Sequence, residues 1–543
     1  MKWRETLSRS SYMVRVVLLL FFVSLAVKLY WYGSLPASLA CDFVCAQRLT
    51  LGEKPYVDFY FDDSPLSIIA RLPLCFLQGL LGFVGAGDSL SLSVLILTVL
   101  AYLASLYFSV FIYNGADKGR LDKAAFLTLL SGYMLGEIAV SFLAGSRQHL
   151  LCLSLSPYLT VLVLRLYGGE ARRGDNIFSA LLLSLGLGLS YYFLPIAPVL
   201  LALEVALAKE RGRYFGQRAL LLVLMPVLIL LGLAALFDTR ELFAWILPLK
   251  HSQYLVEPAA LYGVGRSPDL RVFFYCLTAT VLTAFGLTNA RKLLYPALAL
   301  CFCGLSLYLF SVYGLSEQIV LALWSCALLA AMIFAGLAKF IYVKGGAAFG
   351  LPQLGRKLAV VGQILTLVLA TFLGSGAWLM SGSRLLESPE FRRNLPELRE
   401  RLKECDASRP VLFLSGRPSP GPALILSCGR LVGGYFISSE PLGTLANLLH
   451  RNCDGRWLNK DKDWLADLKK TLLTRLQREI ETSPNLTIFI EGGDIYELIK
   501  RDSVKDCINK LREVKPNCRY YALPEGASEY ADWNYDFFEY VKD

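Results

Sequence analysis

Charge is scarce in this chain: only 18% of its 543 residues are Asp, Glu, Lys or Arg, where a soluble domain carries roughly 25%. So few charges cannot cover a globular surface when 55% of the residues are hydrophobic. A soluble enzyme, a fibrous protein or a nucleic-acid-binding module is excluded as the whole answer, and the long apolar runs exclude a disordered chain. Histidine is scarcer still. The three histidines lie far apart in sequence and no Cys-x-x-Cys pair occurs, so no zinc site is expected and no visible motif requires a divalent metal. The turn-rich stretch 416–422 lacks the Gly-Lys-Ser/Thr of a phosphate-binding loop, which argues against nucleotide binding there. An internal repeat is missing too.

What the chain does have is a series of apolar runs, each close to the roughly 20 residues that span a bilayer. They fall near 15–33, 89–113, 124–143, 150–167, 177–191, 193–208, 219–237, 272–288, 293–312, 318–338 and 358–380. A further run at 65–84 contains Arg71, Pro73 and Gln78 and is expected to lie along the membrane surface as an amphipathic helix. That choice sets the topology. It leaves the N-terminus and the loops 114–123, 168–176, 209–218, 289–292 and 339–357 in the cytoplasm. With flanking Arg15 and Arg165 these pieces hold 20 Lys/Arg against 6 Asp/Glu, as the positive-inside rule requires. Residues 381–543 carry 25 basic and 25 acidic side chains, so the whole formal charge of +10 lies in 1–380. The expected fold is a polytopic α-helical membrane protein of about 11 transmembrane helices over 1–380, followed by an external, extramembrane α/β domain over 381–543. The N-terminus is expected in the cytoplasm and the C-terminus outside. Strands are expected at 410–415, 432–438, 486–491 and 519–523, and helices at 389–404, 462–481 and 495–514.

The first external loop, 34–88, gathers the acids: Asp42, Glu53, Asp58, Asp62, Asp63 and Asp88, against Arg48, Lys54 and Arg71. Carboxylates just outside a membrane face act as general bases or bind cations, or simply solvate the loop. Residues 42–51 are expected to form a short helix ending at Gly52, and 55–59 to be extended. Asp63 or Ser64 then caps the surface helix with Pro65 at its first position, which gives Asp63 a structural role as plausible as a chemical one. External cations are few. Arg147 and His149 sit in a short loop on the same face as Asp42, where Arg147 either meets an anion or snorkels at the interface. Lys250 and His251 lie with Tyr254 in the loop 238–271, which either closes over a substrate or is an ordinary interfacial loop. Glu137, an acid inside a span, is a functional candidate or a hydrogen-bonding partner for a neighbouring helix.

These residues follow an order. A first span precedes Asp42, then come Gly52, Pro55-Tyr56, Asp58-Phe59, Asp63 and Pro65-Leu66 before an amphipathic helix, and later 145–150 with Pro157-Tyr158. The pattern resembles the GT-C glycosyltransferases, of the protein-mannosyltransferase and aminoarabinose-transferase type. It departs from them where Asp-Glu becomes Asp42-Phe43, Pro-Pro-Leu becomes Ser64-Pro65-Leu66, and a second-motif Glu becomes Gln148. The resemblance implies an inverting enzyme that moves a sugar from a polyprenyl-phosphate carrier to an acceptor hydroxyl on a glycan, lipid or protein. Such an enzyme sits in the bilayer, in a bacterial inner membrane, with no cofactor beyond the lipid-linked donor and no nucleic-acid partner. Asp42 matches the catalytic base, Asp63 is a second acid and Asp58 a third. Arg147, His149, Lys250 and His251 are candidates for the donor phosphate, and Glu137, Gln148, Tyr56 and Tyr254 for acceptor binding or support. The competing reading is a transporter or flippase for a lipid-linked saccharide. Against it, the acids cluster outside the spans and repeated halves are missing.

Overall fold

The computed structural model describes residues 2–33, 35–119, 121, 123–207, 225–249, 291–309, 320–340, 402–403, 410–414, 421–437, 441–442, 445, 462–482, 487–491, 519–522 and 537–541. In chain order the helices used below are α1 (Lys2–Tyr30), α2 (Ala37–Thr50), α3 (Pro65–Ile69), α4 (Leu72–Leu80), α5 (Ala86–Gly115), α6 (Lys123–Val140), α7 (Arg147–Leu166), α8 (Arg173–Gly188), α9 (Ile196–Leu207), α10 (Met225–Leu236), α11 (Arg291–Leu309), α12 (Val320–Phe340), α13 (Gly421–Ser427) and α14 (Lys462–Thr482). Four strands follow the same order: β1 (Val411–Leu414), β2 (Thr487–Glu491), β3 (Arg519–Ala522) and β4 (Phe537–Val541). The chain divides into two compact units. One comprises Met1–Ser34, Val94–Leu231 and Pro258–Pro389; the other comprises Leu35–Ser93, Gly232–Glu257 and Glu390–Asp543.

The first unit is helical. By length and composition, the stretches Asp88–Gly115, Ala125–Leu143 and Arg147–Leu166 are each able to cross a membrane. Shorter apolar helices within the described residues cover Tyr191–Leu203, Met225–Leu236, Tyr295–Leu307 and Val320–Met332. The expected spans at 272–288 and 358–380 lie outside the described residues. Apolar area gives little drive for packing helices in lipid, so close backbone approach has to supply it. The α6–α12 contact shows how: a Cβ at Gly136 would overlap the Trp324 ring, and one at Gly132 would press on Leu328. The Tyr133 and Trp324 rings stack beside them, 5.7 Å apart. Helices α1 and α6 also pack together, as do α7 with α8 and α11 with α12.

The second unit joins the loop 35–93 to the C-terminal part of the chain. The run 65–84 is broken into two short helices, α3 and α4, with Ala70 and Arg71 between them. Phe76, Leu80 and Phe83 are exposed at its far end. The sheet has the order β1-β2-β4-β3, with β1 parallel to β2 and the other pairs antiparallel. Leu402, Val411, Phe413, Leu424 and Ile425 make a small core on β1 and α13, and α13 also packs on α2. Along α14, Leu465, Leu468, Leu472, Leu473 and Leu476 are buried, the spacing of one helical face.

Two expectations change here. The strand expected at 432–438 is a single bridge, Val411 to Val432, after which Gly434 turns the chain at φ +97°. The segment expected to be extended at 55–59 is a tight turn, for reasons given below. The 380/381 boundary and the helix expected at 495–514 lie outside the described residues, and of 389–404 only 402–403 is described.

Candidate active site

Asp42 lies in the middle of α2, which starts five residues earlier than expected and ends beside Gly52 at φ +88°. Its side chain is fully buried. An isolated buried carboxylate would be costly, so its partners decide whether it belongs there. The Ser67 hydroxyl shares its proton between Oδ1, at 3.2 Å, and the Ser64 carbonyl, at 3.0 Å, and Arg71 Nη2 pairs with Oδ2 at 3.4 Å. Ser67 and Arg71 are four residues apart, which turns both toward α2. The cap geometry explains why the chain bends to bring them there. Ser64 is the N-cap of α3, its side chain accepting from the Leu66 N–H at 3.2 Å, and Pro65 occupies the first position. Asp63 is therefore not the cap. Its Oδ1 accepts from the Ser64 N–H at 2.8 Å, and it is buried.

The stretch 54–59 turns because three groups close it. Asp58 Oδ2 accepts the Lys54 N–H at 2.7 Å, and the Asp58 N–H reaches the Lys54 carbonyl at 2.9 Å. Arg48 lies over the Phe59 ring, 5.0 Å from its centre, and donates to the Asp58 carbonyl at 3.3 Å. Tyr56 sits at φ +70°, the one non-glycine residue at positive φ among the described residues, a conformation that costs of order 1–3 kcal/mol. Its buried hydroxyl donates to the Asp63 carbonyl at 2.8 Å. Asp58 is exposed and serves to close this turn.

The same turn is gripped by the C-terminal segment. Arg48 Nη1 donates to the Gly434 carbonyl at 2.5 Å, and the Tyr60 N–H to the Tyr435 carbonyl at 2.8 Å. Behind Tyr435, Arg475 makes a two-pronged pair with Glu241. Burial works against ionising Glu241, but the Arg475 guanidinium holds its carboxyl below the usual carboxylate range. Glu479 accepts the Tyr435 N–H, and burial pushes its carboxyl up to about 7 despite that bond and nearby Arg48.

In the other unit, Glu137 is buried on α6 between Lys28 of α1, 2.8 Å away, and His149 of α7, at 2.9 Å. The Gly145 N–H donates to His149 Nδ1 at 3.0 Å, so the proton of the neutral ring is on Nε2 and points at Glu137 Oε2. Lys28 lies 5.3 Å from the centre of the Tyr102 ring. Arg147 is the half-buried first residue of α7, and Gln148 beside it is buried. Ser146 caps this helix by accepting the His149 N–H at 3.2 Å. Lys250, His251 and Tyr254 lie outside the described residues. Among the described residues no group of three or more His, Cys, Asp or Glu is arranged to hold a metal ion.

Sequence reasoning singled out Asp42, Asp63, Tyr56, Glu137 and His149, and gave no role to Arg71, Lys28, Tyr435, Arg475 or Glu241. Arg71 carried a usable signal, as the only basic residue in 65–84. Lys28 carried one as well: a cation in one apolar run and an acid in another want each other.

No protein-family model matches the chain, and no curated protein matches it. Among solved structures it is similar to ArnT from Cupriavidus metallidurans bound to undecaprenyl phosphate, at 10% identity over 97% of both chains and a TM-score of 0.45. It is similar also to ArnT from the same organism in the apo state, at 11% identity over 96% of this chain and 97% of that one, with a TM-score of 0.47.

Proposed function

We propose that the protein is a membrane glycosyltransferase that moves a sugar from a polyprenyl-phosphate carrier to an acceptor hydroxyl on the external face of the membrane. The observation that carries this reading is Asp42. Its carboxylate lies in the loop whose residue order resembles the GT-C enzymes, and it is held in one orientation by Ser67 and Arg71. Fixed orientation is what a general base needs, because proton transfer is efficient only from a positioned group.

In the reaction the acceptor oxygen attacks the anomeric carbon and forms the new glycosidic bond. The acceptor proton passes to Asp42. The bond from the anomeric carbon to the phosphate oxygen breaks, and its electron pair leaves with the polyprenyl phosphate. Attack opposite the leaving group inverts the anomeric centre. Asp63 orients the acceptor, with Tyr56 holding its backbone; Gln148 and Tyr254 are assigned to acceptor binding or support. Arg147, Lys250 and His251 neutralise the leaving phosphate, as cations do where charge develops. His149 assists by anchoring the start of α7 to Glu137 rather than by direct contact. On this reading the chain has about 11 spans, with an external α/β domain from 381 and the C-terminus outside a bacterial inner membrane.

The buried trio of Lys28, Glu137 and His149 favours a second reading, a transporter of lipid-linked saccharides, since ionisable groups among spans line transport paths. Purified protein in vesicles, given a polyprenyl-phosphate sugar labelled in the sugar, separates the two. The glycosyltransferase reading expects labelled sugar in a new glycosidic bond and free polyprenyl phosphate in equal amount. Movement of intact donor across the bilayer with no new bond contradicts it.

A further inference from the structure

Tyr435 lies in no motif, yet it meets the first-loop turn twice. Its carbonyl accepts the Tyr60 N–H at 2.8 Å, and its hydroxyl donates to the Tyr56 carbonyl at 3.2 Å. The hydroxyl has one proton to give, and Glu241 Oε2 is also near, at 3.3 Å. That oxygen also accepts from Arg475 Nη1 at 2.6 Å and from Trp245 Nε1 at 3.2 Å, so the single proton is shared between the carboxylate and the Tyr56 carbonyl. Arg475 fixes the hydroxyl from the other side, donating to it at 2.6 Å and lying 4.9 Å from the ring centre.

The contact falls on the residue that most needs holding. Tyr56 occupies the left-handed region without being glycine, so the turn relaxes unless its surroundings over-determine it. From Tyr56 the restraint continues by hydrogen bonds within one compact unit. The Tyr56 hydroxyl meets the Asp63 carbonyl, Ser64 caps α3, and Ser67 on that helix donates to Asp42.

We propose that Tyr435 is a positioning residue for Asp42: through Tyr56 and the segment 63–67, the C-terminal part of the chain holds the first-loop turn in its working conformation. The effect on turnover rests on the glycosyltransferase reading; the effect on the turn does not. The C-terminal segment is then a working part of the external site.

The test uses the full-length protein and two measurements on Tyr435→Phe, which keeps the ring and the backbone contacts and removes the hydroxyl. Hydrogen exchange over 52–66 is expected to run about fivefold faster, the loss of one hydrogen bond. Transfer is expected to fall roughly tenfold in kcat with donor KM within about twofold, the pattern of lost alignment. Arg475→Lys, which keeps a donor, is expected to fall between wild type and Tyr435→Phe. Glu241→Gln is the second variant if Tyr435→Phe fails to fold, with the same direction expected. Wild-type exchange in the variant overturns the inference, as does faster exchange with unchanged kcat. Should wild type transfer no sugar from any polyprenyl-phosphate donor, the glycosyltransferase reading fails, and the exchange rates alone decide whether Tyr435 holds the turn.

Discussion

Lys28 and Glu137 meet across 109 residues of sequence at 2.8 Å, both buried. Removing one partner of a buried pair strands the other charge and costs roughly 3–5 kcal/mol, whereas removing both charges often costs far less. Lys28→Met and Glu137→Gln are each expected to lower the thermal midpoint in detergent sharply. The double variant is expected to recover most of the loss, because Gln still accepts from His149. A double variant as unstable as the sum of the singles would show that the pair does not couple. Glu137 was readable in the sequence as an acid inside an apolar run. Its pairing was harder to read, although a cation in another apolar run was a signal. Lys28 stands near the end of its helix, where a lysine ordinarily snorkels to the interface, and His149 is turned inward by a backbone N–H that no spacing reveals. Asp42 was legible as a candidate from its place in the loop, while Ser67 and Arg71 became its partners only through the break between α3 and α4.

Among elements, the turn at 54–59 and the bend at 433–435 depend on each other. The turn was expected to be extended, and Tyr, Val and Phe do favour strands. It closes instead because the Asp58 carboxylate and the Arg48 guanidinium satisfy its backbone, which are side-chain choices that strand propensity ignores. The strand expected at 432–438 fails for a similar reason, since Gly433-Gly434 gives the chain a positive-φ bend. By contrast β1, β2, β3 and α14 fall within a residue or two of their expected positions, because their apolar patterns are long and local. The strand β4 was not anticipated; its acid-flanked aromatics carry no clean alternation.

Two predictions belong to these elements. Tyr56→Phe removes the bond to the Asp63 carbonyl and is expected to cost about 1 kcal/mol, read as a lower midpoint in denaturant with an unchanged slope; an unchanged midpoint would contradict the role given to that hydroxyl. Glu479 gives a pH dependence. Its folded value, about 7, lies above the ordinary 4.5, so the folded state holds the proton more tightly. Stability is therefore highest below about pH 4.5 as far as this group is concerned, and it declines as pH rises toward 7. Glu479→Gln is expected to flatten the fall in thermal midpoint between pH 5 and 8; an identical slope in the variant would rule out Glu479 as its source.

At the scale of the whole chain, the formal charge of +10 lies entirely in residues 1–380, and under the topology proposed above it is an orientation signal. The carboxylates proposed for chemistry, Asp42 and Asp63, lie in a loop with surplus acid, and that loop shares a compact unit with the C-terminal part of the chain. Sequence alone set 381–543 apart by its balanced charge. Composition could not foresee the grouping, because it joins pieces distant in sequence, through the packing of α13 on α2 and hydrogen bonds from Arg48, Tyr435 and Arg475. The transfer reaction proposed here needs both, a carboxylate on α2 and a C-terminal segment that keeps the loop around it in shape.

The most direct measurement is the rate of sugar transfer from a polyprenyl-phosphate donor by purified Asp42→Asn protein against wild type. Removing a positioned general base is expected to lower kcat about 10²–10⁴-fold, in protein that still elutes as a single folded species. Transfer at the wild-type rate by the folded variant would contradict the account.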